Sequence, residues 1–294
     1  MQRGCAVSRS AAHIREYLTS ALRRPRHWKF MTDGKSFLIV TGVARSGTTA
    51  LAELLNAHPR ICLGIERFKF RYLLEHDYSP EFFTRERFFD FRKEDTNLRP
   101  EVRPAWQPTY DAIAAKWDEA EVIGDKVPDL MPVLAEFMAA NPDYKYICIL
   151  RNLKDVGLSW QARADRPRDS WPQGKGFGPA CESWAEQHEI LHGMVRDRAL
   201  RERLFLLDYD QMYADPALTE AALLGFLGVA RDPAFRAMLD GHAEFVRTKK
   251  ARKVPEQFAE LYRAVDMGPI RGMRKIAREQ MSLWADRFYK TEGG

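Results

Sequence analysis

The chain has 294 residues, 45% of them hydrophobic and 30% charged, with a formal net charge of +5. That composition is globular, and it excludes a disordered chain, a collagen and a disulfide-framed miniprotein. The length is ample for a buried core and, at roughly 150 residues per domain, fits one large domain or two small ones.

The basic charge opens the chain. Residues 1–35 hold eight cations against Glu16 and Asp33, a sum of +6, so the remaining residues sum to −1. We read this stretch as a basic N-terminal arm ahead of a single domain over residues 36–294. It is Arg-rich and acid-poor, weakly like a transit peptide. It lacks the apolar core of a secretory signal, and an ordinary amphipathic helix is the plainer reading. No apolar run approaches about 18 residues, so no membrane span is expected. Cys5, Cys62, Cys148 and Cys181 show no CxxC or metal spacing, which suits a reduced, cytoplasmic interior.

Residues 37–42 form an apolar run ending in Gly42 and read as a buried strand. A helix over 47–57 stops at His58-Pro59, and Ile61 to Ile65 reads as a second strand. Residues 68–118 carry aromatics, Arg/Glu runs and four prolines, and are expected to be an insertion of helices and loops. Its Phe82, Phe83, Phe88, Phe89, Phe91, Trp106 and Tyr110, with Trp171 farther on, suit stacking on a sugar or aromatic ring, but most of them are expected in the core. Strands at 122–124, 144–150 and 204–207 alternate with helices at about 130–140, 153–164, 180–198 and 216–227. That alternation implies an α/β fold, a parallel sheet with helices on both faces. Residues 166–179, with three prolines and three glycines, read as a long loop of the kind that serves as a lid. The tail from 256 onward is expected to be a helical extension.

Three constellations carry chemistry. The first is Gly42-Val43-Ala44-Arg45-Ser46-Gly47-Thr48-Thr49, between a predicted strand and a predicted helix. Its G-x-x-x-x-G frame is that of a phosphate loop. Its N–H groups and the positive helix end behind them form an anion site. Thr48 stands where a nucleotide triphosphatase carries lysine, which argues against an ATPase or kinase. Arg45 offers a guanidinium to an oxyanion instead. The second is Arg151 at a strand end, with Ser159 and Arg163 in the next helix, a cation-and-hydroxyl set suited to a second phosphate. Taken alone, Arg151 reads as a surface ion pair and Ser159 as a helix hydroxyl bonded to its own backbone. The third is His188-Glu189-Ile190-Leu191-His192, a literal H-E-x-x-H, the zinc-peptidase pattern. The metzincin extension fails at Val195 and Arg198, and Trp184, Ile190, Leu191 and Met194 around it read as packing.

Arg45-Ser46-Gly47-Thr48-Thr49 after an apolar strand resembles the 5′-phosphosulfate loop of sulfotransferases that use 3′-phosphoadenosine 5′-phosphosulfate (PAPS). With Leu55-Asn56-Ala57-His58-Pro59, the segment is most similar to tyrosylprotein sulfotransferases and their bacterial relatives. Arg151 and Ser159 resemble the family's 3′-phosphate signature, and Arg163 matches a second arginine. Asp125-Lys126-Val127-Pro128 resembles its lysine-containing loop. Leu207-Asp208-Tyr209 through Asp215-Pro216, with Phe226-Leu227-Gly228, resembles its tyrosine–acid–Asp-Pro segment.

The resemblance implies a P-loop-like sheet and sulfuryl transfer from PAPS to a hydroxyl-bearing acceptor, with no metal and no nucleic acid. Glu66 stands at the family's offset for the base, while Arg67 and Phe68 replace the family's Thr and Arg. The implied catalytic residues are Glu66, Arg45 and Lys126. The implied nucleotide contacts are Arg45, Ser46, Gly47, Thr48, Thr49, Arg151, Ser159, Arg163 and Tyr209. Without the resemblance, Glu66 reads as a partner of Arg67 or Arg71, Lys126 as a surface lysine and Tyr209 as core. The first expectation for the acceptor is a saccharide or small-molecule hydroxyl, and the second is a protein tyrosine. The cluster Arg247-Thr248-Lys249-Lys250-Ala251-Arg252-Lys253 is expected either to reach the nucleotide or an acidic acceptor, or to be a solvated loop. The motifs do not bear on oligomeric state.

Overall fold

The computed structural model describes residues 34–293. The basic arm, Lys35 apart, therefore lies almost wholly outside the described residues, as does Cys5. Five strands form one sheet: β1 Ser36–Thr41, β2 Ile61–Ile65, β3 Val122–Lys126, β4 Lys145–Leu150 and β5 Leu204–Asp208. All are parallel, in the order β2-β3-β1-β4-β5.

The helices follow in chain order. They are α1 Thr48–Ala57, α2 Lys69–Leu74, α3 Arg85–Phe89, α4 Gln107–Lys116, α5 Met131–Ala140, α6 Leu153–Ala164 and α7 Phe177–Met194. Then come α8 Arg198–Arg203, α9 Tyr209–Ala214, α10 Pro216–Leu227, α11 Pro233–Thr248, α12 Ala259–Arg263 and α13 Gly268–Glu292.

Successive residues of a strand face opposite ways, so a parallel sheet needs two covers. Phe37 and Ile39 of β1 enter one core with the aromatic insertion, α5 and α7. Leu38 and Val40 enter the other with α1, α10 and α11. The insertion aromatics are mostly packing: Phe82, Phe83, Phe88 and Tyr110 are buried, and Phe68 stacks on Phe82 at 4.5 Å. Phe89, Phe91, Trp106 and Trp171 are half-buried against the same core.

Local chemistry sets the helix ends. Asp215 caps α10 with its side chain accepting Leu218 N–H, Pro216 opens the helix, and Gly228 (φ 80°) ends it in the left-handed region. Asp232 and Pro233 repeat the same start for α11. The outer edge of β5 is closed by a side chain of α13: Gln280 Oε1 accepts Leu206 N–H and its Nε2 donates to Leu204 O, at 2.9 and 2.8 Å.

Four points differ from the sequence reading or refine it. The 166–179 loop ends sooner, because α7 starts at Phe177. The helix expected over 180–198 breaks after Met194 into α7 and α8. The helical tail is divided into a short 3-10 turn, α12 and α13, a division the sequence reading left unspecified. Helices α9 and α11 were not anticipated. Among the described residues no helix is long and apolar enough to cross a membrane. Cys62, Cys148 and Cys181 are buried and free, and burial pushes their thiols up to about 11, 12 and 11, which leaves them inert.

The topology fixes where the chemistry gathers. The chain leaves β1 toward β2 and leaves the adjacent β4 toward β5, in opposite directions along the sheet, and the crevice beyond the carboxyl ends at such a reversal is the binding place of open α/β sheets. The register aligns Ile65 with Lys126 and Leu150 with Asp208. The phosphate loop, Glu66, Lys126, Arg151 and Tyr209 therefore all emerge on that one edge.

Candidate active site

The phosphate loop is tightly wound. Gly42, Arg45 and Gly47 have φ of 154°, 72° and 102°. Gly47 admits no side chain, since a Cβ there would lie 2.7 Å from the Tyr209 ring. Neighbours hold the loop from outside. Trp160 Nε1 donates to Ala44 O (2.9 Å), and Asp129 Oδ1 accepts Ala44 N–H (2.8 Å). Asp129 N–H in turn donates to Gly42 O at 2.9 Å. Thr48 and Thr49 open α1, with the loop N–H groups at its positive end.

Cations converge over this loop. Arg45 Nε donates to Ser159 Oγ at 3.1 Å, and Arg151 Nη1 donates to Arg45 O at 3.1 Å. The Arg151 guanidinium lies 4.1 Å over the Tyr209 ring. Burial, then the like charges of Arg163 and Arg151, lower the pKa of Arg45. Among the described residues Ser46 Oγ and Arg151 Nε are buried and have no hydrogen-bond partner. Arg163 lies within electrostatic reach of Arg45 but is bound by Asp169 of the 166–176 loop, with its Nε donating to Asp169 Oδ2 at 2.9 Å. That pairing holds the Asp169 carboxyl down at about 2.

Glu66 follows β2 in the left-handed region, φ 53°. Its N–H donates to Lys126 O at 2.7 Å. Its carboxylate is held at both oxygens, by Lys126 Nζ (3.1 Å to Oε1) and Lys69 Nζ (2.9 Å to Oε2). Burial pushes this carboxyl up, and the two lysines outweigh it, leaving it below the ordinary value. Lys126 is buried, not a surface lysine. Arg67 and Arg71 do not pair with Glu66. Both turn to the buried Asp95, at 2.8 and 3.0 Å.

Several residues of this edge were given no role in the sequence reading: Lys69, Asp125, Asp129, Trp160 and Asp169. Lys69 opens α2 three residues after Glu66, across the turn that follows β2, and the others depend on the tertiary fold. Of the 247–253 cluster, Lys249 comes within the field of Arg151: burial first, then Arg151 and Arg252, lower its pKa. Its neighbours Lys250, Arg252 and Lys253 are exposed.

The H-E-x-x-H helix is α7. His188 is buried, its Nδ1 lies 2.7 Å from Trp184 O, and its ring stacks on Trp184 at 4.0 Å. Burial lowers its pKa to about 4. This is the packing arrangement of a core histidine. Among the described residues no group of three His, Cys, Asp or Glu side chains is placed to hold a metal ion.

Residues 38–233, two thirds of the chain, match the sulfotransferase family. The chain belongs to that family. No curated protein matches the sequence. Solved sulfotransferases resemble the structure at low identity. The sulfotransferase domain of the Synechococcus PCC 7002 olefin synthase is 18% identical, with 91% of this chain and 98% of that one covered, at a TM-score of 0.47. Sulfotransferase STF1 of Mycobacterium tuberculosis is 19% identical, with 80% and 81% covered, at 0.44. Mouse sulfotransferase SULT7A1, solved complexed with PAP, is 15% identical, with 90% and 89% covered, at 0.39. In this sulfotransferase the family match spans all five strands except the start of β1, and so takes in the whole cation-rich edge.

Proposed function

We propose that this sulfotransferase moves a sulfuryl group from PAPS to an acceptor hydroxyl, with Glu66 as general base. The observation that carries the reading is the Glu66 carboxylate, fixed by Lys126 on the same sheet edge as the unpartnered Ser46 Oγ and Arg151 Nε. The residues present fit PAPS. Among the described residues Ser46 Oγ and Arg151 Nε lack partners, and the N–H groups of Gly47, Thr48 and Thr49 stand at the start of α1, while Ser46 N–H donates to Val43 O. Arg151, Ser159 and Arg163 form the second cationic set, for a 3′-phosphate, and Tyr209 floors the loop.

PAPS supplies the sulfuryl group and a phosphate leaving group. The acceptor oxygen forms a bond to sulfur, the sulfur–phosphate oxygen bond breaks, and adenosine 3′,5′-bisphosphate (PAP) departs. Glu66 takes the acceptor proton. Arg45 and Lys126 hold the charge that develops on the transferred group and the leaving phosphate, the role of fixed donors in a site that excludes water. Arg163 exchanges Asp169 for phosphate when the nucleotide binds. These cations do the work of a kinase's magnesium, so no metal is invoked.

The acceptor is a saccharide or small-molecule hydroxyl, with a protein tyrosine second. Arg67 and Phe68 are fully buried, so their departure from the family pattern concerns packing around Asp95 and does not argue against tyrosine. The buried, free thiols accord with a cytoplasmic setting. A screen with labelled PAPS against saccharide, phenol and tyrosyl-peptide acceptors identifies the class. In that assay Glu66→Gln loses about 10²–10⁴-fold in turnover and Arg45→Ala also fails. Near-wild-type turnover in either removes its assigned role.

A further inference from the structure

The turn that presents Glu66 is held by a side chain that the proposed reaction leaves idle. Asp125, the residue before Lys126 on β3, is fully buried. Its Oδ1 accepts Arg67 N–H and its Oδ2 accepts Phe68 N–H, both at 2.9 Å. These are the two residues after Glu66, and Glu66 itself sits at φ 53°. Lys126 grips the same turn twice, through its carbonyl to Glu66 N–H and through its ammonium to the carboxylate. Gly64 leaves the turn its space: a Cβ there would lie 2.8 Å from Arg67 Cβ and 3.0 Å from Asp125 Oδ1.

A buried carboxylate is expensive. Burial pushes the Asp125 carboxyl up to about 7, against the two backbone N–H groups and the charges of Lys126 and Arg67. The Arg67 guanidinium is committed to Asp95 and to the carbonyls of Phe88, Arg87 and Asp90. Packing alone would favour an apolar residue at this position. What the carboxylate provides is a two-point clamp on a strained turn.

We propose that Asp125 is a positioning residue for the base: by clamping Arg67 N–H and Phe68 N–H it fixes the direction in which Glu66 presents its carboxylate. The inference rests on Glu66 being the base. Asp129 is the counterpart on the donor side, binding Gly42 O and Ala44 N–H of the phosphate loop. One short segment thus holds the base with its first acid and the phosphate loop with its last.

The test compares Asp125→Asn, Asp129→Asn and Glu66→Gln in the full chain. Turnover of labelled PAPS is followed with p-nitrophenol and, in parallel, with water as acceptor. PAP affinity is measured by calorimetry, and backbone amide exchange is read at residues 66–68 and 43–49. Asp125→Asn keeps one acceptor. It is expected to lower kcat about 10–100-fold, as misplacement of a reacting group does, while KM for PAPS and PAP affinity stay within about twofold. Amide exchange rises at 66–68 only. Asp129→Asn shows the opposite split, with weaker PAP binding and faster exchange at 43–49.

Unchanged kcat in Asp125→Asn overturns the inference while leaving Glu66 as base, and so does a parallel fall in kcat and PAP affinity. Wild-type turnover in Glu66→Gln removes the base reading itself. The clamp is then judged on exchange, and unchanged protection at 66–68 in Asp125→Asn overturns it as well. If Asp125→Asn does not fold, Gly64→Ala presses on the same turn from β2, and the same split between kcat and PAP affinity is required of it.

Discussion

Two arginine clusters of this molecule differ in how they are finished. In the insertion, Arg67, Arg71 and Arg87 surround the buried Asp95. Arg67 there is satisfied at every guanidinium nitrogen, by Asp95 and three carbonyls. At the sheet edge, Arg45 and Arg151 face each other with no carboxylate paired to either among the described residues, where Arg151 Nε and Ser46 Oγ are also buried without partners. Buried polar groups are normally paired. The closed cluster is architecture, and the open one keeps donors that an anion could take. Counting arginines cannot separate them, but counting partners does.

Breaking the closed cluster has the largest expected effect. Asp95→Ala strands Arg67 in the core and destabilises the fold by about 3–5 kcal/mol, the usual cost of removing one partner of a buried pair; chemical denaturation reads it. Its pH dependence has a definite sign. The three arginines outweigh burial and hold the Asp95 carboxyl at about 2, below its ordinary 3.8. Its stabilisation is therefore complete above that ordinary value and is lost as pH falls through the window down to about 2. Melting curves that stay flat between pH 4 and pH 2 contradict this.

The open cluster responds in binding rather than in stability. Gly47→Ala drives a Cβ into the Tyr209 ring at φ 102°, so PAP affinity falls at least about tenfold for roughly 1–3 kcal/mol of strain. Ser46→Ala removes one unpartnered hydroxyl and weakens PAP by about 0.5–1.5 kcal/mol, with the melting temperature unchanged. Asp169→Asn is the mildest and runs the other way. It frees Arg163 from a partly exposed pair, so PAP binds slightly tighter, and calorimetry reads the change. Weaker binding in Asp169→Asn contradicts the exchange of partners assigned to Arg163.

The same contrast explains what could be read in the sequence. Strand β2 and helices α6 and α10 match their predicted bounds, because each has strong local marks: an apolar run, Asn152 as cap, and Asp215-Pro216 with Gly228. Helix α11 carries the same Asp-Pro start at Asp232-Pro233 and went unread among its surface charges, although the signal was present. The break after Met194 also has a mark that went unread: Asp197 caps α8, its side chain accepting Ala199 N–H. In the site, the loop frame and the spacing to Glu66, Lys126 and Arg151 are properties of the chain order. Taken without the resemblance, Lys126 reads as a surface lysine and is buried, and Arg67 reads as a partner for Glu66 and serves Asp95. Asp125, Asp129 and Asp169 gain their roles only when distant segments meet, and no local pattern encodes that.

The central claim is that the unfinished cations at the carboxyl edge are a site for a bisphosphorylated adenosine nucleotide. Titrating PAP and ATP into the purified protein without magnesium, in wild type and in Arg151→Ala, tests it directly. The account predicts strong preference for PAP over ATP, and loss of PAP binding by at least about tenfold in Arg151→Ala, the scale of a charge-assisted contact removed, with an unchanged melting curve. Equal affinity for ATP, or wild-type PAP binding in Arg151→Ala, would contradict it.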